Sequence, residues 1–207
     1  TLLCVHGNPT WSYLWRSLLA RGAAAGWRVV AVDQPGMGYS ADRPGGTTRL
    51  ADRVRALGAF TDAVGLSGAA APGPVVAVGH DWGGVVAMGW AVDHPAELAG
   101  LVLTNTAVHQ DPDVPVPALL RLARHPAVHR WATVHGTLFL DTALSLARPP
   151  LPAPVRAAYR EPYAAAGDRK AIGDFVADIP VDAGHPSHAE LERIAAGVRE
   201  LTAPALL

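Results

Sequence analysis

Val75-Val76-Ala77-Val78-Gly79-His80-Asp81-Trp82-Gly83-Gly84-Val85-Val86-Ala87-Met88 decides how this chain folds. A β-branched run that breaks into Gly-x-Asp-x-Gly and resumes as an apolar stretch reads as strand, sharp turn, helix. In such an elbow the flanking Gly79 and Gly83 permit the turn, and the central residue stands exposed at the end of the sheet. That residue is Asp81. A carboxylate at this point attacks sp³ carbon and leaves an alkyl ester on the protein. The competing reading is a glycine-rich β–α turn with an incidental Asp.

Working outward, two further strand-and-turn units precede the elbow. Thr1-Leu2-Leu3-Cys4-Val5 runs into His6-Gly7-Asn8-Pro9-Thr10-Trp11, and Trp27-Arg28-Val29-Val30-Ala31-Val32 into Asp33-Gln34-Pro35-Gly36-Met37-Gly38-Tyr39-Ser40. Tyr13, Leu14, Trp15, Leu18 and Leu19 give a helical stripe between them. Leu50, Val54, Leu57, Phe60 and Val64 predict an amphipathic helix over 49–65, closed by Gly65. The elbow helix reads as Val85 to His94 with Pro95 ending it, and Leu101-Val102-Leu103 as the next buried strand.

Beyond residue 108 the composition changes. Eleven of the eighteen prolines fall between Asp111 and Pro186, and strand signals almost vanish. Helical pieces are predicted at 118–124, 155–159, 170–177 and 189–201. Thr202-Ala203-Pro204-Ala205-Leu206-Leu207 opens another strand. Both ends read as cut, since Thr1 already lies inside a strand pattern.

Strand plus His-Gly-x-Pro, strand plus Asp-x-x-Gly-x-Gly-x-Ser, then strand plus Gly-x-Asp-x-Gly resembles the α/β-hydrolase superfamily along nearly the whole chain. Within it the chain is similar to the Asp-nucleophile branch of haloalkane dehalogenases, epoxide hydrolases and the cis-β-lactone decarboxylases of olefin biosynthesis. The resemblance implies a mostly parallel sheet flanked by helices, with a helical cap inserted after the strand that follows the elbow. It divides the chain into a core over 1–108, a cap over 109–197 that roofs the pocket above Asp81, and a return to the core over 198–207.

The resemblance also assigns roles. Asp81 is the nucleophile. Trp82 and Asn8 clamp the leaving anion through the indole and side-chain amide, and their backbone N–H groups are the oxyanion donors. Core packing is the alternative for Trp82, and capping the turn before Pro9 is the alternative for Asn8. His6, Gly7 and Pro9 shape the first turn, Gly7 letting the backbone approach the pocket. Asp33, Gly36, Gly38 and Ser40 shape the second. His80 is structural, because in this superfamily the base comes from a late loop.

The acid that partners the base does not stand in Thr104-Asn105-Thr106-Ala107-Val108-His109; Asp111 and Asp113 come later, in a Pro-rich loop. Acid and His base are therefore expected beyond Leu207. Leu103–Gln110 and Phe175–Pro180, with His185-Pro186-Ser187, are most similar to the β-lactone decarboxylases, which convert long-chain cis-β-lactones to alkenes and CO₂. Haloalkane dehalogenase is the alternative. An epoxide hydrolase would use two cap tyrosines, and Tyr159 and Tyr163 are available, but Asn8 replaces the aromatic residue those enzymes usually carry. A non-catalytic ligand-binding module of the same fold also stays open.

With 17 Lys+Arg against 18 Asp+Glu in 207 residues, the chain has no basic footprint for nucleic acid. No apolar stretch is long enough to span a bilayer. The single Cys4 excludes a disulfide framework and points to a reducing, cytoplasmic setting. No histidine shows metal-ligand spacing, so neither metal nor cofactor is expected. The expected partner is a small apolar substrate, and the resemblance adds association with other enzymes of a hydrocarbon pathway.

Overall fold

The computed structural model describes residues 1–43, 45–68, 73–108, 118–180 and 182–207. His109, Asp111 and Asp113 lie outside the described residues, as does the point at which the cap was expected to begin.

Four strands follow from the apolar runs: β1 (Leu2–Val5), β2 (Val29–Val32), β3 (Val75–His80) and β4 (Leu98–Thr104). A short β5 (Ala205–Leu206) joins them, and the sheet has the order β2-β1-β3-β4-β5, with every neighbouring pair parallel. Leu3, Cys4, Val5, Val75 and Ala77 are fully buried, because the central strands of a parallel sheet are covered on both faces. Among the described residues β2 lies at an edge and is only half-buried. An open cavity of about 450 Å³ lies beside it, lined by Val32, Arg53, Leu57 and Phe60.

Helices α1 (Arg16–Ala24), α2 (Leu50–Ala63) and α3 (Trp82–Asp93) connect these strands. Gly65 has φ 68° just past the end of α2, the left-handed stop predicted for it. α3 begins three residues earlier than its apolar pattern implied. It is buried from Gly83 to Ala91, so it carries no polar face to mark its start.

Between β4 and β5 runs a helical insert with α4 (Ala118–Arg124), a π-helical turn over Trp131–His135, α5 (Leu138–Ser145), α6 (Ala153–Arg160) and α7 (Lys170–Ala177). It has its own apolar cluster, including Phe139, Leu140, Tyr163, Ile172 and Phe175, against which Trp11, Tyr13 and Trp82 pack from the core. α5 and the π-helical turn were not predicted.

The last helix, α8 (His188–Glu200), was expected to lie mostly in the cap. It packs with the core instead: Ile194 is fully buried in the cluster formed by Val54, Met88 and Trp90. Small residues make the approach close. A Cβ on Gly89 would meet Val54 at 2.6 Å and Ile194 at 3.1 Å, and one on Gly197 would meet Val92 at 2.5 Å. The insert proper therefore ends near residue 187. No helix among the described residues is long and apolar enough to cross a membrane.

Candidate active site

From β1 the chain first moves outward to β2 and then returns to β3 on the other side. This reversal leaves a crevice at the carboxyl ends of β1 and β3, where ligands bind in open α/β sheets. Val5 pairs with Gly79 and His80 with Thr104, so the turns after β1 and β3 face one another across it.

Asp81 forms the apex, with φ 54° and ψ −130°. The positive φ falls on Asp81 itself and on neither flanking glycine. Gly79 and Gly83 are needed for want of a Cβ. One on Gly79 would lie 2.5 Å from the Gly84 Cα, and one on Gly83 would land on the Val5 and His6 carbonyl oxygens. Backbone bonds fix the strained residue, since Asp81 N–H donates to Thr104 O at 3.2 Å and Gly84 N–H to Asp81 O at 2.9 Å. The Thr106 hydroxyl donates to Asp81 O at 2.7 Å. Thr106 was missed as a contributor, and a hydroxyl two residues past a buried strand was its one signal.

The Asp81 carboxylate accepts the Asn8 backbone N–H at 2.9 Å and the Trp82 backbone N–H. Burial pushes its carboxyl above the ordinary carboxylate range, while these two N–H groups and the His80 charge pull it back. Burial also lowers His80, whose Nδ1 has no partner among the described residues. Gly7 lets the Asn8 turn come this close, as a Cβ there would strike the Asp81 side chain. The Asn8–Pro9 peptide is cis.

His6 anchors that turn from below. Gln34 N–H donates to its Nε2 at 3.1 Å, so the proton sits on Nδ1, which lies 2.9 Å from Gly7 O. Burial lowers its pKa from 6.5 to about 4, so the folded protein holds it neutral while the unfolded chain protonates first. Stability from this residue is complete above the unfolded pKa. It is expected to fall as the pH drops from about 6.5 to about 4, by about 3 kcal/mol. Urea unfolding at neutral and acid pH, with His6→Gln as reference, measures it; equal slopes in the two proteins would contradict it.

Asp33 holds the second turn, accepting the Ser12 N–H at 2.6 Å and the Tyr39 N–H at 3.1 Å. Ser40 Oγ closes the loop onto Asp33 O.

Around Asp81 the predicted partners are only partly as expected. Asn8 reaches the carboxylate through its backbone; its side-chain Nδ2 donates to the Ile172 carbonyl of α7 at 3.2 Å. Trp82 is half-buried, with its ring 5.7 Å from Phe175 of α7, and among the described residues nothing accepts from its indole N–H. Ile172 had no marker in the sequence beyond an apolar helix pattern, and Phe175 only its place in the Phe175–Pro180 stretch noted for its resemblance.

Residues 1–165 match the family described as the alpha/beta hydrolase fold. A cis-3-alkyl-4-alkyloxetan-2-one decarboxylase of Xanthomonas campestris pv. campestris is 34% identical over 204 residues, covering 94% of this chain and 66% of that protein. Haloalkane dehalogenase 2 of Mycobacterium tuberculosis is 31% identical over 180 residues, covering 86% of this chain and 59% of that one. The haloalkane dehalogenase DatA from Agrobacterium tumefaciens C58 superposes with a TM-score of 0.83 at 25% identity, covering 99% of this chain and 69% of DatA. The chain thus spans 59–66% of the length of these two curated relatives. Since the match runs unbroken from β1 through the elbow and into the helical insert, this chain belongs to the alpha/beta hydrolase fold family.

Proposed function

We propose that Asp81 is the nucleophile of an enzyme that opens long-chain β-lactones to alkene and CO₂. One observation carries this: a carboxylate raised by burial, held at a strained elbow by the N–H groups of Asn8 and Trp82. Attack on the ring carbon bearing oxygen breaks that C–O bond, forms an ester to Asp81 and frees the substrate's carboxylate. Loss of CO₂ then supplies the electron pair of the C=C bond, and the ester C–O electrons return to Asp81. The sum is lactone to alkene plus CO₂, with no water consumed. During attack, the two N–H groups hold the oxygen that becomes the ester carbonyl. The Asn8 amide and the Trp82 indole are the donors for the released carboxylate, and the helical insert is the cap that excludes water from them.

Similarity to a protein named for oxetan-2-one decarboxylation favours this substrate. Dehalogenation is the second reading, favoured by the dehalogenase-named relatives and by the uncommitted Trp82 indole N–H; there the same donors take a halide. The epoxide reading loses support at its tyrosines. The Tyr163 hydroxyl donates to Thr10 O and accepts from Gly38 N–H, both at 3.1 Å, and the Tyr159 hydroxyl accepts from Arg16.

The test offers the intact protein a long-chain cis-β-lactone and, separately, a 1-haloalkane. Alkene release without halide release is the expected result. Halide release without alkene moves the assignment to dehalogenation, and neither product defeats both.

A further inference from the structure

Helix α7 is gripped from two sides. On one side, Asp174 accepts the Thr48 N–H at 3.0 Å and pairs with Lys170 at 2.7 Å, which also reaches Asp42 at 3.1 Å. Asp178, just past the end of α7 and almost fully buried, accepts the Leu50 N–H at 2.6 Å, the Ser187 hydroxyl at 2.6 Å and the Arg49 guanidinium at 3.0 Å. The first amides of a helix lack partners within it and carry partial positive charge. Asp178 thus takes the first amide of α2, 128 residues earlier in the chain, and Asp174 takes the amide of Thr48 just before that helix, 126 residues earlier. Between them, Phe175 lies under the buried Arg53 guanidinium, 3.4 Å from its ring centre.

On the other side, the Ile172 carbonyl takes one N–H of the Asn8 amide. The Asn8 Oδ1 is buried without a partner among the described residues. Among the described residues the Ile172 bond is thus the one hydrogen bond that orients this side chain, and the second N–H is left for another acceptor.

From this chain of contacts we infer that Asp178, with Asp174, is a positioning residue for the Asn8 amide. By fixing α7 against α2, these carboxylates hold the Ile172 carbonyl where it aims Asn8 at the departing anion. The inference rests on the function proposed for Asn8. It differs from a general stabilising role because the effect must pass through Asn8.

A double-mutant cycle on the intact protein, with whichever of the two substrates it turns over, separates these. Asn8→Ala is expected to lower kcat by about 10²–10³, as for one lost donor. Asp178→Asn is expected to lower kcat about tenfold, the scale of one weakened charged hydrogen bond. KM should stay within about threefold, since the lost interaction belongs to the departing group. The double variant should be no slower than Asn8→Ala. Losses that multiply, or an unchanged kcat in Asp178→Asn, would overturn the assignment. Should Asp178→Asn not fold, Asp174→Asn carries the same cycle. Hydrogen exchange gives an independent readout: amides of 170–177 and of Thr48 and Leu50 should exchange faster in Asp178→Asn, and unchanged exchange overturns the latch itself. No turnover of either substrate by the unaltered protein would defeat the functional reading, and with it the assignment to Asn8, while the exchange result still decides whether Asp178 holds α7.

Discussion

Asp81→Asn is expected to abolish turnover and, in the same protein, to raise the unfolding temperature. An amide does not displace a leaving group from sp³ carbon, so kcat should fall by about 10⁴ or more, the scale for loss of a nucleophile. Mass spectrometry must exclude deamidation back to Asp, which restores activity. The gain in stability comes from removing a buried charge. Burial raises the Asp81 pKa above its unfolded value, so the protonated form is favoured in the folded state. The stability tied to it is complete below the unfolded pKa and is lost as pH rises through the folded one. At neutral pH the ionised group therefore works against folding, and Asn removes it. A gain of about 1 kcal/mol would raise Tm by about 2–4 °C in a chain of this size. A lower Tm would mean that the Asn8 and Trp82 N–H groups stabilise the charge by more than burial opposes it. On the function proposed for Asp81, the same shift predicts that kcat/KM of the unaltered protein falls on the acid side at a pH above the usual carboxylate range.

Gly83→Ala is expected to be the most damaging single methyl in the core. The added Cβ would land on the carbonyl oxygens of Val5 and His6, which cannot rotate away as a side chain can. Relief requires moving α3 from β1, or β1 from β3, and either breaks the crevice. A loss of about 3 kcal/mol or more follows, at the upper end for overpacking, with soluble yield falling in parallel. Gly58→Ala, inside α2, is the control. Its Cβ would meet only the His94 Nε2 at 3.3 Å, and the gain in helix propensity offsets that contact to within about 1 kcal/mol. Denaturant midpoints of both variants test the contrast; similar losses would refute the backbone argument.

The elbow and the two turns before it were legible because each is local: a β-branched run, a break and a resumed apolar pattern lie within fifteen or so residues. Asp81 was singled out in this way and Asn8 and Gly7 through the resemblance those turns carry, and the structure sets the three side by side. α5 escaped for a local reason too. The side chain of its N-terminal Thr137 makes no bond to the helix backbone and donates to the Asp141 carboxylate instead, and a lone Thr among apolar residues was a weak boundary signal. The burial of Asp174 and Asp178 was invisible for the opposite reason. Two carboxylates one helical turn apart look like a solvated face, Asp178 stood out only as part of the Phe175–Pro180 resemblance, and the backbone N–H groups they accept lie more than 120 residues away. The fate of the Asn8 amide depended on the same helix. No spacing around residue 8 announces a carbonyl at residue 172.

That separation has a consequence for the order in which the molecule assembles. β1, β2 and β3 with their connecting helices use contacts within the first hundred residues, whereas the α2–α7 junction closes a loop of more than 120. Closing it costs conformational entropy before any bond there repays it. The parallel sheet should therefore form around Asp81 first, with α7 docking late, so that Asn8 acquires its final orientation in one of the last steps of folding. In refolding experiments, protection at Leu3, Val5 and Ala77 should precede protection at Leu50 and across α7. For the same reason a nascent chain presents an elbow that is already strained before the helix that aims its neighbour has been seated.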